Sequence, residues 1–195
     1  MVAAWGLVAA VVLAGCAAPG PSPAPAAPPT AATTAPTAAS AADGDRLAAP
    51  VRVRLAAVDV DAAVVDVGVD ELGEMEVPPE VSTVGWYRFG PGPGAPAGSS
   101  VLSGHVDDRV QGRGAFYRLS ELAVGDPVQV DLADGTVLGF RVDAVARIDK
   151  DELPVEQLFA RDGAPVLTLV TCGGDFDRDT RSYRENVVVT AVPVP

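Results

Sequence analysis

The chain has 195 residues, a length for one domain, and 48% of them are hydrophobic, which is enough for a sizeable core. The formal net charge of -12 argues against binding to a phosphate backbone, so we expect no nucleic acid partner. The acidic balance also argues against docking on a membrane through a basic face.

The first 16 residues predict an export signal. Residues 2–13 form an apolar run that is short for a transmembrane helix but suits a signal peptide. The run ends in the sequence LAGC, which resembles a bacterial lipobox with Cys16 as the lipid-attachment site. The usual Lys or Arg before the run is absent, so an uncleaved membrane anchor stays open. On either interpretation the domain is tethered at the extracellular face of the cell membrane.

Residues 17–46 consist almost wholly of Ala, Pro, Thr, Ser and Gly, without an apolar period or an aromatic residue. Such a composition cannot bury enough apolar surface to fold. We therefore expect a disordered linker, partly extended where proline is dense, and a folded domain over residues 47–195.

Short apolar and β-branched runs separated by turn signals predict a series of strands in the folded part. The predicted strands are residues 51–55, 64–69, 84–88, 100–105, 128–131, 137–145, 165–171 and 187–190. Residues 116–122 carry apolar side chains with the spacing of one short helix, and residues 153–159 predict a one-turn helix or an ordered loop. Many short strands, little helix and no βαβ alternation predict an antiparallel barrel or sandwich.

Three residues at predicted strand ends form a candidate catalytic set. Cys172 follows an apolar run and precedes two glycines, His105 is the only histidine, and Arg184 precedes the last strand. Thiol catalysis needs a nucleophile, a group that exchanges protons near neutral pH, and a donor for the oxyanion. Each residue also has an ordinary alternative, because free cysteines are often buried and inert, lone histidines are often structural, and Arg181 competes with Arg184.

The two cysteines have separate roles in this interpretation. Cys16 belongs to the targeting segment, which normally lies outside the fold, so we expect no disulfide between it and Cys172. Cys172 is then an unpaired thiol in an exported protein, and such a thiol calls for a functional explanation.

Three motifs in order along the folded part resemble those of the sortases, most closely the actinobacterial class F group, sometimes placed near class E. They are TLVTC at residues 168–172, GHVD at 104–107 and YRENVVV at 183–189, with VGWY at 84–87 and GAF at 114–116 in support. The resemblance covers about residues 50–194. It implies a closed eight-stranded antiparallel β-barrel with one or two short helices.

The resemblance also implies a cysteine transpeptidase that cuts an LPxTG-type sorting signal between Thr and Gly. Cys172 would attack the threonine carbonyl, His105 would protonate the leaving amine, and Arg184 would bind the substrate backbone and stabilise the oxyanion. The protein would then be transferred to an amine of a peptidoglycan precursor. We assign Thr171, Val170 and Trp86 to substrate binding, although Trp86 also fits a place in the core, and we expect a monomer.

We predict no metal and no cofactor. The alternating aspartates after Gly174 lack the glycine and glutamate of a calcium loop, so a solvated acidic loop is the better interpretation. Some sortases use calcium to order a loop over the signal. The carboxylates that stay open for such a role are Asp107, Asp108, Asp151 and Glu152.

Two other functions stay open on the sequence alone. A thiol peptidase would use the same Cys-His-Arg set but release an acid instead of joining an amine. A non-catalytic surface lipoprotein would carry an inert Cys172.

Overall fold

A computed structural model of the protein describes residues 47–194. The predictions for the export signal, Cys16 and the linker lie outside these residues. The ten strands are, in chain order, β1 (Pro50–Leu55), β2 (Val60–Val67), β3 (Val84–Tyr87), β4 (Ser99–Gly104), β5 (Asp107–Asp108), β6 (Gly112–Arg113), β7 (Pro127–Leu132), β8 (Val137–Asp149), β9 (Val166–Asp177) and β10 (Ser182–Pro193). Within this part of the chain, no helix has the length and apolar character to cross a membrane.

Eight of the strands close into a barrel in the order β1-β2-β3-β4-β9-β10-β8-β7, while β5 and β6 form a separate hairpin. This confirms the predicted eight-stranded barrel. The barrel is mixed, however, because β2 pairs with β3 and β4 pairs with β9 in parallel. Parallel neighbours need long connections, and here residues 68–83 and 105–165 provide them.

Alternation over residues 52–55 of β1 shows how the sequence builds the wall of the barrel. Val53 and Leu55 are fully buried, whereas Arg52 and Arg54 lie on the outer side. Arg52 Nη2 donates to Asp61 Oδ2 at 2.9 Å, and Arg54 Nη1 donates to Asp131 Oδ1 at 2.8 Å. Apolar side chains from every barrel strand fill the interior in the same way, because period-two alternation sends one set of side chains inward.

The predicted helix over residues 116–122 is shorter and tighter than the sequence indicates. Only Leu119–Glu121 is helical, as a 3-10 turn, although the apolar residues Phe116, Leu119 and Leu122 are all buried. Backbone bonds from Leu119 N to Phe116 O (3.1 Å) and from Leu122 N to Leu119 O (3.3 Å) span three residues. A spacing of three matches the 3-10 period, so the apolar residues stack on one side. The one-turn helix predicted within residues 153–159 is present as α1 (Val155–Leu158).

Candidate active site

Three adjacent strands bring the predicted catalytic residues to the same end of the barrel. Cys172 lies in β9, opposite Asn186 of the antiparallel strand β10. On the other side β4 runs parallel to β9, and their pairing ends with Ser103 opposite Val170. His105 directly follows the end of β4 at Gly104, on the strand next to the one that carries Cys172. Neighbouring strands lie about 4.8 Å apart. The fold therefore joins residues that are 67 positions apart in the chain.

The sequence predicts Cys172 at the end of a strand, but the residue lies inside β9. β9 continues past Gly173, which pairs with Glu185 of β10, and ends at Asp177. Gly173 has a reason to be glycine, because a Cβ there would lie 2.7 Å from Val187 Cγ2. The backbone of β9 therefore pairs with β10 both before and after Cys172.

The thiol of Cys172 points to the outer face of the barrel wall. Leu167 and Leu169 of the same strand are fully buried in the core, so alternation places Val170 and Cys172 on the opposite face. Cys172 is a free cysteine of intermediate exposure. It is therefore open to a molecule that binds on the outside of the wall.

A cavity of about 640 Å³ covers this face of β4, β9 and β10. Its floor contains Val101, Ser103, Val170, Cys172 and Asn186. Its walls are mainly apolar and come from the β2–β3 connection and from the segment around α1; they include Val69, Met75, Val77, Val155, Leu158 and Phe159. The volume lies within the range of about 300–1,000 Å³ that small-ligand sites have.

A second cavity of about 200 Å³ also reaches Cys172. It is lined by the two glycines after the cysteine and by polar residues that include Ser120, Arg147 and Tyr183. Cys172 thus borders a large apolar cavity and a small polar one.

His105 is half-buried and its ring is fixed by the β2–β3 connection. His105 Nε2 lies 2.9 Å from the carbonyl oxygen of Pro78. A carbonyl only accepts, so Nε2 carries the proton of this hydrogen bond and Nδ1 remains the other exchangeable position. The backbone is held as well, because the His105 carbonyl accepts from Phe116 N at 3.0 Å.

A hydrogen bond between side chains ties the histidine segment to the β9–β10 hairpin. Tyr183 Oη donates to Asp107 Oδ2 at 2.8 Å, and the Tyr183 ring packs edge-on against Phe176 with 5.2 Å between centroids. Burial, followed by this hydrogen bond to the carboxylate, raises the pKa of Tyr183 to about 12. The phenol therefore stays protonated and keeps donating over the physiological pH range.

Arg184 lies close to Cys172 in the sheet but does not line either cavity. It lies opposite a β-bulge of β9, because Gly174 and Asp175 stand between the partners of Tyr183 and Glu185, where β10 has only Arg184. Its side chain is 67% exposed, and Nη2 lies 3.4 Å from Asp177 Oδ2. Backbone N–H groups of Asp179 and Thr180, and then Arg184, lower the pKa of the Asp177 carboxyl.

The substrate-binding predictions fall in different places. Val170 and Thr171 both line the large cavity. Trp86 is 7% exposed and belongs to the hydrophobic core, with Nε1 3.4 Å from the Pro91 carbonyl oxygen, and it does not line the cavity. Its neighbour Tyr87 does, and packs edge-on against Phe159 with 5.0 Å between ring centroids.

Two residues at the cavity floor were missed from the sequence. Ser103 is 8% exposed and its Oγ has no hydrogen-bond partner among the described residues, although it lines the cavity. Asn186 lies directly across from Cys172. The alternation of β10, counted back from the buried Val189 and Val187, places Asn186 on the outer face, and this signal was available in the sequence.

Within residues 47–194, no group of three or more His, Cys, Asp or Glu side chains is arranged to hold a metal ion. Asp107 instead accepts the Tyr183 hydrogen bond, and Asp108 accepts backbone N–H groups of Val110 and Gln111. Asp151 and Glu152 lie exposed in a 3-10 turn over Lys150–Glu152.

The described residues thus form a mixed eight-stranded barrel in which a cysteine of β9, a histidine just after β4 and an arginine of β10 lie on or next to three adjacent strands. The family model described as "Sortase domain" matches residues 53–194 of the chain. The chain therefore belongs to the sortase family, and this membership supports a cysteine transpeptidase.

Solved structures of sortases have the same fold. Sortase C-1 from Actinomyces oris is 21% identical, with a TM-score of 0.57 and coverage of 74% of this chain and 73% of that one. A lid mutant of sortase A from Corynebacterium diphtheriae is 20% identical, with a TM-score of 0.56 and coverage of 74% and 69%. Sortase C from Streptococcus pneumoniae is 18% identical, with a TM-score of 0.55 and coverage of 75% and 66%. No curated protein matches the chain.

Proposed function

We propose that the protein is a class F-type sortase that cleaves an LPxTG-like sorting signal and transfers the upstream protein to a cell-wall amine. The observation that carries the proposal is the large apolar cavity that ends at Cys172. A signal that begins with leucine and proline has the apolar side chains that such walls bind. The cavity lies on the outer face of the wall, where an extended peptide can enter.

In the proposed reaction the sulfur of Cys172 attacks the carbonyl carbon of the scissile Thr–Gly bond. A C–S bond forms and the carbonyl π electrons move to oxygen. The tetrahedral intermediate collapses, the C–N bond breaks, and His105 gives a proton to the leaving amine. An incoming amine then attacks the thioester, loses its proton to His105, and releases the thiolate of Cys172.

Arg184 takes the role of binding the substrate backbone and supporting the oxyanion in this proposal. Its high exposure leaves the side chain free to move, and its contact with Asp177 is a long one at 3.4 Å. Exposed ion pairs are weak because water screens them, so substrate can draw the guanidinium away from Asp177. The small cavity beside Cys172 gives water or an amine a second approach to the thioester.

We further propose that residues 1–16 export the domain and hold it at the outer face of the cell membrane. The supports are the apolar run and the LAGC sequence at Cys16. Metabolic labelling with a radioactive fatty acid tests this, because the label is expected on the natural chain and not on Cys16→Ala. Membrane retention of an unlabelled natural chain would instead indicate an uncleaved anchor.

The transpeptidase is tested with the full chain in detergent micelles, an LPxTG-type peptide and triglycine. We expect a thioacyl adduct on Cys172 and a ligated peptide, both followed by mass spectrometry, and neither product with Cys172→Ala. Hydrolysis without ligation would point to a thiol peptidase. Absence of both adduct and product with every signal variant would return Cys172 to the role of an inert thiol in a surface lipoprotein.

A further inference from the structure

The position directly opposite the nucleophile is occupied by the only asparagine in the chain. Asn186 of β10 pairs with Cys172 of β9. Directly opposed residues in an antiparallel pair point to the same face, with their Cβ atoms about 4.5–5.5 Å apart. The carboxamide of Asn186 is therefore a near neighbour of the thiol.

Asn186 faces the large cavity and not the barrel interior. Val187, Val189 and Ala191 of the same strand belong to the core, so alternation sends Asn186 outward. Asn186 lines the large cavity together with Cys172 and is half-buried. The carboxamide of Asn186 carries N–H donors, and its place in the cavity lining lets them meet a ligand.

Unlike Asn186, the arginine that is predicted to stabilise the oxyanion lies outside the large cavity. Arg184 is 67% exposed, contacts Asp177 and lines neither cavity. A tetrahedral oxyanion has room for more than one donor, and a donor that is already in position needs no reorganisation when the charge develops. Asn186 fits this requirement better than Arg184, because it pairs with Cys172 and lines the same cavity.

We propose that Asn186 is a further catalytic residue whose side-chain N–H donates to the carbonyl oxygen of the scissile bond. The inference rests on the proposed transpeptidase reaction. As the C–S bond forms and negative charge collects on the carbonyl oxygen, the Asn186 hydrogen bond strengthens and stabilises the intermediate. The same donor holds the oxygen again when the amine attacks the thioester.

The test compares Asn186→Ala and Asn186→Leu with the natural chain, using full-length protein and the LPxTG-type peptide. Both variants remove the donor without adding charge, and the alanine variant remains informative if leucine impairs folding. The rate of thioacyl formation on Cys172 is measured by rapid quenching and intact mass. Removing one such donor is expected to lower kcat by about 10²–10³-fold with little change in KM.

Two further measurements separate a catalytic role from a structural one. Alkylation of Cys172 by iodoacetamide forms no oxyanion, so its rate is expected to stay unchanged in both variants. Gln129→Ala removes an amide from an exposed position of β7 away from the cavities and should acylate at the natural rate. The proposal is supported only by a loss of acylation with alkylation intact.

The remaining outcomes overturn it. Acylation at the natural rate in Asn186→Ala would remove the residue from the mechanism. An equal loss of acylation and alkylation would mean that Asn186 acts on the thiol or on the fold. If the natural chain forms no adduct, the proposed function fails and this inference with it, which is distinguishable because the failure appears before any substitution is made.

Discussion

Replacing Gly114 with alanine tests whether the position of His105 controls the rate of the proposed reaction. Gly114 lies against the backbone of His105, and its own N–H donates to the Val106 carbonyl at 2.9 Å. A Cβ at Gly114 would lie 2.1 Å from the carbonyl oxygen of His105, 2.6 Å from its carbonyl carbon and 2.8 Å from its Cβ. These are mainly backbone atoms, which cannot rotate away as the end of a side chain can.

The size of the effect follows from these distances. Relief of the contact requires the His105 backbone to retreat by about 1 Å, a misplacement that can cost about 10²-fold in rate. The shift would also stretch the bond from Phe116 N to the His105 carbonyl, now 3.0 Å. Overpacking of this kind costs about 1–3 kcal/mol of stability. We therefore expect Gly114→Ala to fold with a lower melting temperature and to lose about 10²-fold in kcat/KM.

The assay is ligation of the LPxTG-type peptide to triglycine, with thermal unfolding followed by circular dichroism. Gly92→Ala is the matched control, because a Cβ there meets nothing nearer than Trp86 Cζ2 at 3.7 Å. Gly92→Ala should keep the natural rate. A folded Gly114→Ala variant with the natural kcat/KM would refute the view that the histidine must stay where Gly114 holds it.

Three other predictions concern separate contacts. The folded-state pKa of Tyr183 is raised from 10.0 to about 12, so its contribution to stability is present below about pH 10 and lost as the pH rises through about 12. When phenolate formation is followed by absorbance, the tyrosine that titrates near pH 12 should be missing in Tyr183→Phe. Thr168→Val leaves the buried Ser99 hydroxyl, now 2.8 Å from Thr168 Oγ1, without a partner, so the free energy of unfolding in denaturant should fall by about 1–3 kcal/mol. Arg184→Ala should cut kcat/KM for peptide ligation by orders of magnitude while Cys172 alkylation stays unchanged.

For each of these three predictions, one result would contradict the stated cause. A phenolate component near pH 12 that persists in Tyr183→Phe would assign the raised pKa to another tyrosine. Adding Ser99→Ala to Thr168→Val should recover part of the lost stability, and no recovery would locate the cost elsewhere. Arg181→Ala should ligate normally, and a loss there with activity retained in Arg184→Ala would move the role to Arg181.

The alternation of apolar and polar residues was enough to predict most of the barrel strands. In β1, the buried Val53 and Leu55 and the paired Arg52 and Arg54 follow directly from a period of two. The apolar spacing at residues 116–122 identified the buried side chains correctly but not the type of helix. Local periodicity reports which side is buried, whereas the 3-10 geometry depends on backbone bonds within the turn.

For the candidate site, too, the sequence predicts some features and the structure alone shows others. In the sequence, Cys172, His105 and Arg184 lie at the ends of apolar runs, and their motifs indicate the family. The sequence could not show that Asn186 faces Cys172 or that the Pro78 carbonyl holds His105. The first depends on the register of the β9–β10 hairpin, and the second joins residues 27 positions apart through the packing of a loop.

The sequence by itself therefore determined the residue types of the site, the period of the strands and the family. The tertiary structure alone decided the parallel pairing of β4 with β9, the bulge of β9 opposite Arg184 and the cavity that Cys172 lines. The physical reason is that register and strand order are set by burial on closing the whole barrel. A one-residue change of register would turn every side chain of a strand to the other face, and no local pattern records which partner strand prevents it.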